Sequence, residues 1–113
     1  MGVNIAELQA YLAEHYKDRA TEQGLFMKLV EEVGEVAEVL NKRAGRKASS
    51  ENDLAVDLAE ELADIIHYVV GIAAINDLDL EQTILDKDKR AAIKYNHERN
   101  LSDFLAEKGE TDE

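Results

Sequence analysis

The sequence predicts an all-α protein built as an antiparallel four-helix bundle, and three observations support this fold class. The 113 residues contain six glycines and no proline, so the residues that usually separate short strands are scarce. Hydrophobic residues form 45% of the chain and recur at the spacing of amphipathic helices. Short polar stretches separate four such segments, which makes consecutive helices antiparallel. We assign one domain to residues 1–107 and a disordered acidic tail to 108–113.

The first two helices each follow a polar residue that favours the N-cap position. Apolar residues behind Asn4 predict a helix over about residues 5–19. A second helix starts after Thr21 and ends near Gly45. Its predicted core stripe consists of Leu25, Leu29, Val33, Val36 and Leu40. The polar stretch 48–53 that follows is predicted as a loop.

Two further helices and a short terminal one complete the prediction. The third helix starts at Leu54 and stops near Asp77, where short polar residues favour a turn. The fourth runs from about Leu80 to Tyr95. After it, a small apolar group predicts a short docked helix formed around Leu101, Phe104 and Leu105.

Composition narrows the functions that the chain can have. Thirteen basic and twenty-five acidic residues give a net charge of -12, which opposes a phosphate backbone, so we predict no nucleic-acid partner. No apolar run reaches the roughly 18 residues that span a bilayer, and the first residues lack a signal-peptide pattern. We therefore expect a cytoplasmic protein with no membrane partner. The absence of cysteine excludes disulfides and thiolate metal ligands.

The two central helices carry an internal repeat that contains paired acids. Residues 29–36 read Leu-Val-Glu-Glu-Val-Gly-Glu-Val and match Leu-Ala-Glu-Glu-Leu-Ala-Asp-Ile at 58–65, an offset of 29 positions. At about 100° per residue, one acid of each pair lies about 60° from the apolar stripe and the other about 120°. These acids are Glu32, Glu35, Glu61 and Asp64. In antiparallel helices both pairs lie roughly 14 to 15 Å from the connecting loop, and therefore at one level.

Carboxylates that converge at one level predict a metal site. They repel one another and take up protons unless a cation neutralises them. Oxygen ligands favour hard ions, so we predict Mg²⁺, with Mn²⁺ as a substitute. The same angular count sends Glu60 and His67 to the far side of the third helix, and we assign the histidines no chemistry.

At these acids the chain resembles the MazG-like all-α nucleotide pyrophosphohydrolases. The family signature is Glu-Glu-x-x-Glu followed at a moderate gap by Glu-x-x-Asp. Residues 31–35 read Glu-Glu-Val-Gly-Glu and residues 61–64 read Glu-Leu-Ala-Asp, with 25 residues between them. The resemblance extends over about residues 20–95 and includes Gly34 and a later Leu-Asp-Leu turn at 78–80.

The resemblance implies hydrolysis of a nucleoside triphosphate between its α and β phosphates, giving a monophosphate and pyrophosphate. It implies that the four acids hold Mg²⁺ against the triphosphate, and Glu35 and Glu32 are the catalytic candidates. Glu35 is either a ligand or the base for the attacking water. The candidate substrate contacts are Tyr16, Lys28, Tyr68, Lys87, Lys94 and Tyr95. Ala91 stands where the family has an asparagine, and the family implies a homodimer or homotetramer.

Three other interpretations stay open from the sequence. One is a phosphoribosyl-ATP pyrophosphohydrolase-like enzyme, which shares the helices and the carboxylates. Another is a non-catalytic helical interaction module whose acidic face keeps it soluble. A carboxylate-bridged redox bundle is the third, because Asp64 and His67 have the acid-x-x-His spacing of di-iron proteins.

Overall fold

The computed structural model describes residues 2–45 and 54–111, and all regular structure in these ranges is helical. The five helices are Ile5–His15 (α1), Glu22–Arg43 (α2), Leu54–Ile75 (α3), Leu80–Lys94 (α4) and Leu101–Thr111 (α5). The predicted all-α class is therefore confirmed for the described residues. The chain forms two compact units, Met1–Leu78 and Asp79–Glu113. No described helix is long and apolar enough to cross a bilayer.

Helices α1, α2 and α4 begin at side-chain caps. In each case a side-chain oxygen accepts a hydrogen bond from the backbone amide three residues later, which satisfies one of the free amides of the first turn. The caps are Asn4 (2.8 Å), Thr21 (3.0 Å) and Asp79 (3.0 Å). The N-cap predicted at Asn4 and the helix predicted after Thr21 are thus confirmed.

Some helix ends differ from the prediction. α1 ends at His15 rather than near residue 19, because the chain turns there and Asp18 takes a φ of 56°. Aspartate tolerates this left-handed conformation, which no helix continues through. α5 reaches Thr111, into the segment 108–113 for which the sequence predicts disorder. Residues 112–113 and the predicted loop 48–53 lie outside the described residues.

The helices α2 and α3 pack against each other in opposite directions. A Cβ placed on Gly71 would lie 3.6 Å from Cδ1 of Leu25, near the start of α2. Further along α2, Glu32 meets Glu61, which precedes Gly71 in α3. Residue numbers rise along one helix as they fall along the other, so the predicted antiparallel packing of the central helices is confirmed.

Helix α1 also runs antiparallel to α3 and contacts it. The side-chain amide of Gln9 donates a hydrogen bond to the carbonyl of Leu78, just beyond the end of α3. The hydroxyl of Tyr16, just beyond the end of α1, is hydrogen-bonded to His67 in the middle of α3. α3 is therefore the shared partner of the first unit, with one face against α2 and another against α1.

The inward faces of α2 and α3 are rotated from the predicted stripes. Along most of α2 the half-buried or buried side chains are Leu25, Leu29, Glu32, Val36 and Val39, and near its end Asn41 and Lys42 are also half-buried. The predicted core residues Val33 and Leu40 are 52% and 47% exposed. In α3, Leu62 and Ile66 are likewise exposed, at 45% and 51%. The buried face of each helix thus includes the first acid of its repeat.

In the second unit, α5 is tied to α4 by a side chain. The amide of Leu101, the first residue of α5, donates to Oδ2 of Asp88 in α4 at 2.5 Å. Asn100 and Asp103 cap the same helix start through two reciprocal hydrogen bonds of 2.8 and 3.1 Å. The short docked helix predicted after α4 is therefore confirmed.

Candidate active site

Four acidic side chains of α2 and α3 lie together in the first unit. We call Glu32, Glu35, Glu61 and Asp64 the acidic group. One carboxylate oxygen from each of Glu32, Glu61 and Asp64 lies within 4.8 Å of the other two. A side-chain hydrogen bond links Glu35 to Glu61. The fold thus brings together the acids that the repeat selects.

The acidic group has a shielded side and an open side. Glu32 and Glu61 are half-buried, whereas Glu35 and Asp64 are exposed. This follows from the helical repeat, because the first acid of each pair faces the neighbouring helix and the second stands about 60° away from it around its own axis. A ligand therefore has access from the side of Glu35 and Asp64.

Two oxygens on the shielded side have no hydrogen-bond donor. Oε2 of Glu32 and Oε2 of Glu61 are closed off from solvent and accept no hydrogen bond from any described residue. A carboxylate can only accept, so two of them bond to each other only if one carries a proton. Buried acceptors without a donor are unfavourable, and nearly all such groups in folded proteins find a partner.

Within the acidic group, Glu61 binds a proton more tightly than an isolated glutamate does. The pKa of Glu61 rises from 4.5 to about 8. The largest cause is a shared hydrogen bond with Glu35, followed by one with Glu32, by burial and by repulsion from both neighbours. The site therefore attracts a positive charge, which a proton supplies when nothing stronger is bound.

The donor set fits a hard divalent cation. Its ligand atoms are all carboxylate oxygens, which suit Mg²⁺ or Mn²⁺. A cation between α2 and α3 gives the donorless oxygens of Glu32 and Glu61 the positive partner that they lack. The acidic group can therefore hold a divalent cation with its exposed acids facing an incoming anion.

A hydrogen-bonded aromatic pair lies on the α1 face of α3. Oη of Tyr16 lies 2.5 Å from Nε2 of His67, and the two rings meet edge to face with centroids 5.7 Å apart. The placement of His67 on the far side of α3 holds only with respect to α2, because α1 packs on that side. The pKa of Tyr16 is raised, first by burial and then by the nearby phenol of Tyr68.

The ring of Tyr16 rests against the backbone of α3 at Gly71. A Cβ added to Gly71 would lie only 3.1 Å from Cε2 of Tyr16. From the sequence, His67 is assigned no chemistry and Gly71 is not a candidate residue. A glycine inside an apolar helical run disfavours the helix, and this was the available signal that another group approaches there.

Three lysines and Tyr95 complete the predicted substrate contacts. Lys28 lies one turn before Glu32 in α2 and is exposed. Its Nζ is 3.4 Å from Oε2 of Glu31. The others belong to the second unit and are exposed: Lys87, Lys94 and Tyr95. Lys94 Nζ lies 5.4 Å from the centre of the Tyr95 ring. The contacts of these four residues with substrate stay predictions.

An all-α chain with carboxylates converging from two antiparallel helices is the type of site that the family resemblance implies. Residues 20–102 match the family model of the MazG nucleotide pyrophosphohydrolase domain. Because this match covers most of the 113 residues, the chain belongs to the MazG nucleotide pyrophosphohydrolase family. It is accordingly a hydrolase that acts on nucleotides.

Known relatives agree with this assignment. The solved structure of iMazG from Vibrio DAT 722 has a TM-score of 0.61 and 35% identity, covering 84% of this chain and 100% of that one. The dCTP pyrophosphatase 1 of Bos taurus is 36% identical over 92 residues, 74% of this chain and 54% of that protein. The uncharacterized protein YvdC of Bacillus subtilis (strain 168) is 27% identical over 84% of this chain and 99% of its own length.

Proposed function

We propose that the chain hydrolyses a nucleoside or deoxynucleoside triphosphate between its α and β phosphates, with Mg²⁺ as the physiological cation. Water adds to the α phosphorus, and the bond from that phosphorus to the bridging oxygen breaks. The products are a nucleoside monophosphate and pyrophosphate. This reaction needs no covalent intermediate on the protein.

The observation that carries the proposal is the acidic group with its two donorless oxygens. Acids that only keep a surface soluble point into water, whereas Oε2 of Glu32 and Oε2 of Glu61 are shielded from solvent and accept no hydrogen bond from a donor of the described residues. Such an arrangement stores electrostatic repulsion in the fold, and a cation converts that repulsion into binding energy.

Glu32, Glu35, Glu61 and Asp64 would hold the cation. When bound, Mg²⁺ supplies positive charge that offsets the charge developing on the phosphate oxygens. Glu32 and Glu61 are fixed between the helices and are suited to hold their oxygens in place. Glu35 and Asp64 are exposed, so they are suited to meet the substrate and its attacking water.

Glu35 is the candidate to take the proton from water. It stands on the open side of the acidic group and already shares hydrogen bonding with Glu61. A carboxylate that orients water and accepts its proton contributes roughly 10² to 10⁴-fold to the rate. Tyr68, one turn beyond Asp64 and half-buried, is the candidate contact with the sugar or phosphate.

A homodimer or homotetramer in the cytoplasm completes the proposal. Exposed apolar residues lie along both α2 and α3, and another copy of the chain could cover them. They include Val30, Val33, Leu62, Ile66 and Val69. Another copy of the chain is the partner that the family resemblance implies.

The alternatives are separated by the structure and by a substrate panel. Family membership in a group of hydrolases removes the non-catalytic module. A redox centre needs His67 as a ligand, and its Nε2 is engaged by Tyr16. Phosphoribosyl-ATP belongs in the panel beside the canonical nucleotides and dCTP, the substrate named for the Bos taurus relative.

The test is pyrophosphate release from that panel with Mg²⁺, by wild type and by two single variants of the acidic group. We expect Glu61→Gln and Asp64→Asn to lose at least about 10²-fold in kcat/KM, because each removes a charged ligand. Glu60→Gln is the matched control: it makes the same change at the neighbouring exposed position. Equal activity of Glu61→Gln and Glu60→Gln would refute the proposal.

A further inference from the structure

We propose that His67 and Gly71 are positioning residues that hold the ring of Tyr16 as the wall against which the base of the nucleotide rests. This inference rests on the proposed function. It concerns Tyr16 and His67, the aromatic pair on the α1 face of α3, which contact each other. In the proposed function the phosphates bind at the acidic group instead.

Tyr16 is fixed at three points. Its backbone amide donates to the carbonyl of Leu12 at 2.9 Å, which anchors it to the end of α1. Its hydroxyl is bonded to Nε2 of His67 at 2.5 Å. One edge of its ring lies against Gly71, where even a methyl group would come within 3.1 Å. The ring is therefore held in one position although part of it remains accessible.

The pair lies beside the open side of the acidic group. At about 100° per residue, His67 lies about 60° from Asp64 and about 120° from Glu61, whereas Tyr68 and Gly71 lie within about 40° of Asp64. Along the axis, Tyr68 is about 6 Å from Asp64 and Gly71 about 10 Å. A nucleotide whose phosphates meet Asp64 carries its sugar and then its base in that order, which brings the base toward Tyr16.

The hydrogen bond determines which part of Tyr16 is offered to a ligand. Because the hydroxyl is engaged by His67, the free part of the residue is its ring, a flat aromatic surface. Such a surface packs against any heteroaromatic base and is held without loss of side-chain entropy on binding. In this arrangement His67 acts on the substrate through Tyr16.

The experiment compares substrates with and without a base in three proteins: wild type, His67→Leu and His67→Gln. The substrates are the most active nucleoside triphosphate of the panel and a base-free deoxyribose triphosphate. We expect His67→Leu to raise KM about tenfold for the nucleotide, the effect of one lost hydrogen bond, with kcat within about threefold. The base-free substrate should show no such change. His67→Gln, which keeps a hydrogen-bonding group, should restore most of the difference.

Binding of a non-hydrolysable α,β-methylene nucleotide with Mg²⁺, measured by calorimetry, separates this inference from the proposed function. We expect the same tenfold loss of affinity in His67→Leu whether or not wild type releases pyrophosphate. An equal loss for the base-free substrate, or unchanged KM and affinity in a folded His67→Leu protein, would overturn the inference. Gly71→Ala, which displaces the ring by a few tenths of an ångström, should raise KM in the same direction.

Discussion

The two faces of α3 present opposite solutions to burying polar groups. Toward α2 the helix offers Glu61, which meets other acids and leaves an oxygen without a donor. Toward α1 it offers His67, whose ring nitrogen and Tyr16 hydroxyl satisfy each other at 2.5 Å. One face is repulsive without a ligand, and the other is complete by itself.

The two faces of α3 therefore have different roles: one can bind a cation, and the other provides a rigid surface. On the acid face an added cation lowers the energy, because no described residue donates a hydrogen bond to the shielded oxygens there. The aromatic face needs nothing added and provides rigid walls. A helix that is shared by two partners can thus hold a reactive site and its framework about two turns apart.

The largest effect is expected where the aromatic face is packed most tightly. Gly71→Val places two methyl groups where the ring of Tyr16 already lies 3.1 Å from a Cβ position. We expect a loss of about 1–3 kcal/mol from overpacking, measured by urea unfolding. Gly34→Val, at a helical glycine with no atom within 4 Å, is the control. Equal losses at both glycines would show that the face has room to yield.

Breaking the repulsion on the acid face should alter the pH dependence of stability. The pKa of Glu61 is about 8 when folded and 4.5 as the ordinary value, so between these pH values the folded state keeps a proton that the unfolded chain releases. The free energy of unfolding of the metal-free protein therefore falls as pH rises from 4.5 to about 8.

Glu61→Gln removes that titration. In urea melts with a chelator present, the free energy of unfolding of wild type should fall as pH rises through this window, whereas that of Glu61→Gln should fall less. Glu60→Gln should behave like wild type. Adding Mg²⁺ at the upper end should stabilise wild type and not Glu61→Gln, since the ligand binds only the intact site. Parallel pH curves for the three proteins would contradict the raised pKa of Glu61.

The smallest effect is expected outside both faces. Lys28 and Glu31 form an exposed pair at 3.4 Å, and such pairs contribute little. Lys28→Ala should change the free energy of unfolding by less than about 0.5 kcal/mol. A rise in KM without a change in stability would support the predicted phosphate contact of Lys28. Lys89→Ala, at an exposed lysine of the second unit, is the matched comparison.

The repeat predicted the acid face because it lies in two helices of the same design. When two helices carry the same pattern, antiparallel packing is enough to bring the matching residues together. Glu32 and Glu61 lie together in this way. The apolar stripes were less well placed. Each inward face carries a glutamate where a core residue is usual, so the stripe predicted for α2 includes the exposed residues Val33 and Leu40.

The contact between Tyr16 and His67 was not predicted because it involves α1, a helix outside the repeat. Angular counting within α2 and α3 treats each helix as having one partner, and His67 then points away from it. Only the path of the chain after α1, which places Tyr16 beside α3, reveals the second partner. Residues that meet across helices of unrelated pattern leave no periodic signal in one sequence.

Gly34 stands between Glu32 and Glu35 with open space where a Cβ would be. Because the chain has no cysteine, Gly34→Cys would create a unique thiol one position from the open side of the acidic group. A nitroxide attached there would sense paramagnetic Mn²⁺ as a loss of its spectral amplitude. Occupancy of the site can thus be followed spectroscopically, apart from any assay of turnover.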